Sequence, residues 1–151
     1  MEKQIGKSLW LPAILIPVGT LIVLGISYML YYGYYLAIDA IFNARNVQGP
    51  PLIPTGWIRL SFAIILFILG IVIWRTKWPE LLKVILLTAP LAMLIITGIL
   101  TYYSKLPLAV AIASVFIAGS LLLVYRAKKP WLYYYAIVMA SIAGFYYAWP
   151  R

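Results

Sequence analysis

Apolar residues in this chain fall in long uninterrupted runs rather than at helical or strand spacing. Five stretches of about 15 to 30 residues carry almost no charge: 10–38, 56–74, 81–103, 106–125 and 131–149. A solvent that receives apolar side chains but offers no hydrogen bonds leaves two architectures, helices and closed barrels. A barrel needs segments of about 10 residues alternating apolar and polar. Val84 to Tyr103 and Leu106 to Tyr125 are apolar on every side. The pattern therefore predicts an all-α polytopic membrane protein, a single domain over 1–151 built as a bundle of about five transmembrane helices.

Punctuation between the runs supports this division. The run from Trp10 to Ile38 would be about 43 Å long as a helix, longer than the roughly 30 Å hydrocarbon layer, so it predicts a tilt or projecting ends. Pro12 and Pro17 predict irregular or kinked first turns. The polar segment 43–55 holds Asn43, Arg45, Asn46, Gln48 and the Gly49-Pro50-Pro51 turn, stiffened further by Pro54. Pro79 and Glu80 form a helix-start pair, and Pro90 predicts a bend in the third span. Ser104 and Pro107 read as a cap and start for the fourth span. Lys3 and Lys7 before an apolar run resemble a signal peptide, but no A-x-A-like site lies near the expected position, so the run is taken as a retained span. A four-span layout, with the second stretch lying on the surface, is the alternative.

Charge then assigns an orientation. Hydrophobic residues make up 66% and charged residues 10% of the chain, with 12 Lys/Arg against 3 Asp/Glu. Lys3, Lys7, Arg75, Lys77, Lys83, Arg126, Lys128 and Lys129 fall on one side of a five-span layout, and Arg45, Arg59, Lys105 and Arg151 on the other. Eight against four predicts a multi-pass cell-membrane protein with a cytoplasmic N-terminus, an external C-terminus and an external loop 43–55. Basic residues scattered between spans argue against nucleic acid as a partner; the partners implied are the lipid bilayer and other membrane subunits or a second copy of the chain.

The chain contains no histidine and no cysteine, and its only carboxylates are Glu2, Asp39 and Glu80. Paired-aspartate and Ser/His hydrolysis, thiolate chemistry, zinc sites and histidine-ligated haem cannot be assembled from such residues. The expectation is a non-enzyme with no cofactor, no metal ligands and no catalytic residues.

What remains are binding and packing candidates. Asp39, with Asn43, Arg45 and Arg59 close by in the layout, is a ligand or ion site on one reading. On the other it is a hydrated interfacial carboxylate paired with Arg45 or Arg59. Glu80 reads as a helix-start carboxylate. The clustered tyrosines, such as Tyr31-Tyr32 and Tyr133-Tyr134-Tyr135, fall at span boundaries and suit an interfacial belt, with a pocket for a flat apolar ligand as the alternative. Ala136, Ala140, Gly144 and Ala148 place a small residue at every fourth position, a ridge that lets another backbone approach closely, from this chain or a partner.

Five spans in about 150 residues, many aromatics and the stretch from Pro50-Pro51 to Trp57 resemble the translocator-protein (tryptophan-rich sensory protein) family. The likeness implies a five-helix architecture and a hydrophobic ligand. The third span reads Thr88-Ala89-Pro90-Leu91 where that family carries a Trp-Asn pattern, so no ligand residues carry over. Two functions follow as expectations: an accessory or assembly subunit of a larger membrane complex, or a stand-alone binder or carrier of a small hydrophobic ligand.

Overall fold

The computed structural model describes residues 10–43 and 53–148, and over them the chain is a bundle of five long helices with no strand. Helix α1 spans Trp10–Ile38 and runs into a π-helical turn, Asp39–Asn43; α2 spans Thr55–Arg75, α3 Glu80–Thr101, α4 Leu106–Arg126 and α5 Trp131–Ala148. Four of them are long and apolar enough to cross a membrane: α1 with its π-helical turn, α2, α3 and α4. α5 carries tyrosines at both ends, from Tyr133 to Tyr135 and at Tyr146 and Tyr147.

The element boundaries follow the apolar runs to within two residues, and the departures have local causes. α1 is helical from Trp10 straight through Pro17, in place of the irregular first turns expected from its prolines. Pro12 sits in the first turn, where its missing N–H would have had no partner anyway. α4 is capped by Lys105 rather than Ser104, with no side-chain cap. The Leu108 and Ala109 amides both donate to the Lys105 carbonyl, at 2.9 and 3.0 Å, and Pro107 removes one donor that would otherwise need a partner.

α3 is the hub: it packs against each of the other four helices, most extensively against α5. Its neighbours touch one another in a partial ring, α2 on α1, α1 on α5 and α5 on α4, while α2 and α4 do not meet among the described residues. One face of each outer helix is therefore buried and the rest is bare. On α2 the buried side chains Ile58, Phe62, Leu66 and Gly70 recur every fourth residue, one stripe along the helix. On α1 only Ile16 and Thr20 are buried, and Leu21 (69% exposed) and Met29 (76% exposed) stand fully outward. Water does not tolerate so continuous an apolar surface on a monomer; hydrocarbon does.

Without a hydrophobic force between helices in lipid, close backbone approach must supply the packing. The small-residue ridge of α5 does this against α3. Ala136, Ala140, Gly144 and Ala148 are all buried, and a Cβ placed on Gly144 would stand only 3.0 Å from Ile95 Cγ2. α2 makes a similar approach, since a Cβ on Gly70 would lie 3.1 Å from the Pro90 ring. α3 stays helical through Pro90, which is itself buried.

Candidate functional site

α2 and α4 both end, and α3 and α5 both begin, at the same end of the bundle. Their termini assemble one polar cluster there. Glu80 opens α3, and Lys83 lies one turn on, where i,i+3 spacing brings the pair together: Lys83 Nζ donates to Glu80 Oε1 at 3.2 Å. The same oxygen accepts from Lys129 Nζ at 3.5 Å, and the Tyr133 hydroxyl donates to Glu80 Oε2. Lys83 is 6% exposed, so its charge is kept out of water and needs this carboxylate. Lys129 Nζ also stands 5.2 Å from the Trp74 ring centre and 5.3 Å from that of Tyr133. The two rings meet edge-to-face at 5.5 Å.

The turn after α4 places Lys129. The Lys129 amide donates to the Val124 carbonyl at 3.2 Å and the Lys128 amide to the Tyr125 carbonyl at 3.1 Å. These are the two bonds of a Schellman motif, and they require left-handed backbone at Lys128, whose φ is 48°. The sequence thus closes α4 with a lysine where glycine is usual, and the next residue swings over Trp74.

Beside this cluster lies a cleft of about 540 Å³, between the end of α2 and the end of α4 with α3 and the start of α5 as its floor. That volume suits a small-molecule ligand. Phe67, Ile71, Leu87, Leu91, Leu94 and Leu123 supply most of its wall, and Trp74, Tyr133 and Arg126 stand at its polar end. Its inner hydroxyls are already engaged: Thr88 Oγ1 donates to the Ile85 carbonyl at 2.6 Å and Ser120 Oγ to the Phe116 carbonyl at 2.8 Å. The interior therefore accepts hydrocarbon, and hydrogen-bonding capacity is concentrated at the mouth.

The candidates raised by sequence are placed elsewhere. Asp39 begins the π-helical turn and is half-buried; Arg59, also half-buried, lies on the first turns of α2 at that same opposite end of the bundle. Asn43 closes the π-helical turn, and Arg45 with most of the 43–55 loop lies outside the described residues, as does Trp149. Around Arg59 the helices are joined by aromatic contacts. Tyr31 and Tyr34 pack on Phe62 at 5.5 and 5.6 Å, Tyr34 hydrogen-bonds Ser61 at 3.0 Å, and Tyr28 meets Tyr147 at 6.0 Å. Several boundary tyrosines thus bind helix to helix as well as lying near the ends. The ridge residues Ala136, Ala140, Gly144 and Ala148 face α3, so that surface is already covered within the chain.

Sequence reasoning passed over Trp74, Lys83, Arg126, Lys129 and Tyr133 as a group. Part of it was visible in the i,i+3 spacing of Glu80 and Lys83 and the i,i+4 spacing of Lys129 and Tyr133. Nothing in the order of residues says that those two pairs meet across α3 and α5.

Comparison with known proteins gives no match to a family model, to a curated protein or to a solved structure. The likeness to the translocator-protein family rests on helix number, the many aromatics and the stretch from Pro50-Pro51 to Trp57.

Proposed function

We propose that this chain is a non-catalytic multi-pass membrane protein that binds a small hydrophobic ligand in the cleft between α2 and α4. The carrying observation is the form of that cleft: an apolar interior whose hydroxyls are internally satisfied, ending in aromatic and cationic side chains. A molecule with an apolar body and one polar end matches it. The cleft opens where two outer helices fail to meet, so a ligand dissolved in the bilayer enters sideways without crossing water. The excess of cations at one end, Arg75, Lys77, Arg126, Lys128 and Lys129, supports a cytoplasmic position for that end under the positive-inside rule.

This reading is favoured over an accessory-subunit role because the ridge that suggested a partner is spent on α3. A partner subunit would have to use another face, such as the bare side of α1.

Native mass spectrometry of the chain released from mild detergent tests the reading. The wild type is expected to carry one lipid-sized adduct, and Ser120→Phe, which fills the cleft, to lose it while keeping its helical content and monodispersity. A wild type with no adduct, or an adduct equally retained by Ser120→Phe, contradicts the proposal. Release only as part of a larger complex supports the accessory role instead.

A further inference from the structure

We infer that the ligand of this cleft is an anionic membrane lipid, its acyl chain lying along Leu87, Leu91 and Leu123 and its phosphate held at the mouth by Arg126. The inference rests on the cleft-binding reading and adds the headgroup.

Charge accounting at this end of the bundle carries it. Among the described residues Arg75, Lys77, Lys83, Arg126, Lys128 and Lys129 face a single carboxylate, Glu80. That carboxylate is taken: Lys83 and Lys129 share one oxygen and Tyr133 holds the other. Arg126, which lines the cleft from the last turn of α4, has no carboxylate among the described residues. A guanidinium presents a planar fork of donors that matches a phosphate through two parallel hydrogen bonds. Lys129 is already committed to Glu80 and to the faces of Trp74 and Tyr133, so the free fork at the mouth is that of Arg126. A zwitterionic headgroup would bring its own cation against this surplus of positive charge, which disfavours it. Basic pockets between spanning helices, level with the headgroups, are where anionic lipids are recognised. The interior offers nothing to a second anionic group, since neither Thr88 nor Ser120 has a hydrogen left to donate. One anionic head on a hydrocarbon tail meets every one of these requirements.

The test uses the full chain in mild detergent, offered phosphatidylglycerol and phosphatidylcholine of identical acyl chains in equal amounts, with bound lipid read by native mass spectrometry. Phosphatidylglycerol is expected to be retained on the order of fivefold better, the scale of one interfacial cation acting on one anionic headgroup. Arg126→Gln is expected to abolish that preference, Arg126→Lys to restore part of it, and Lys77→Gln, away from the cleft, to leave it intact. Equal retention of both lipids by the wild type overturns the inference, as does an unchanged preference in Arg126→Gln or no difference between the Lys and Gln variants. Ser120→Phe separates the two claims. If the wild type holds both lipids equally and Ser120→Phe loses both, the cleft reading stands and the headgroup inference falls. If Ser120→Phe keeps the full preference, the cleft reading itself falls.

Discussion

Lys129 Nζ stands 5.2 Å from the centre of the Trp74 ring, joining the turn after α4 to the last turn of α2, two helices that otherwise do not meet. This one cation bridges the two helix ends beside the cleft without lining it. It does so because the left-handed Lys128 ends α4 in time and because Glu80 fixes the ammonium from the α3 side.

Glu80 and Lys83 respond to substitution unequally. Removing the carboxylate with Glu80→Gln strands the buried Lys83 ammonium and is expected to cost about 1 kcal/mol of stability, a figure held down by the partial exposure of Glu80. Lys83→Met leaves Glu80 with Lys129 and Tyr133 and places an apolar chain where an ammonium was buried, so it is expected to be neutral or slightly stabilising. Reversible unfolding in mixed micelles, followed by circular dichroism, reads both. A larger loss in Lys83→Met than in Glu80→Gln would contradict this account of the cluster.

The ridge of α5 offers a steeper test. Ala140 is 0% exposed and even a Cβ on Gly144 would already stand 3.0 Å from Ile95 Cγ2, so Ala140→Leu or Gly144→Leu must push α5 off α3. Overpacking of this kind is expected to cost roughly 1–3 kcal/mol each in the same unfolding measurement. Gly119→Ala on α4 meets nothing within 4 Å and is expected to be neutral or to gain up to about 1 kcal/mol from helix propensity. If the leucine variants fold as stably as the wild type, the ridge does not hold the bundle together.

Topology is open to a chemical assay because the chain contains no cysteine. Single variants Lys128→Cys and Tyr146→Cys sit at opposite ends of α5. In intact cells or sealed right-side-out vesicles, an impermeant maleimide is expected to label Tyr146→Cys and to reach Lys128→Cys only after lysis. Labelling of both from one side would mean that α5 does not cross the membrane and that four helices do.

How much of this was legible in the sequence follows from the physics that set each feature. The helices were readable because a run such as Leu106 to Tyr125 leaves the backbone no other way to satisfy its hydrogen bonds in an apolar solvent. The small residues of α5 were visible at fourfold spacing, but whether Gly144 met Ile95 or a foreign helix was not, since spacing carries no information about the partner. The polar cluster was the least legible part. Glu80 reads as a complete helix-start residue by itself, and its links to Lys129 and Tyr133 span 49 and 53 positions of sequence. Asp39, the residue that charge and hydropathy singled out, stands at the opposite end of the bundle from the cleft.

Photolabelling tests the central claim most directly. A phospholipid carrying a diazirine on its acyl chain, irradiated with the chain in nanodiscs and mapped by peptide mass spectrometry, reports which helix faces hold hydrocarbon in place. The account predicts adducts concentrated on the α3 segment around Leu87, Leu91 and Leu94 and on α4 around Leu123, well above those on the bare α1 residues Leu21 and Met29. Adducts spread evenly over all lipid-facing surfaces, with no enrichment between α2 and α4, would contradict it.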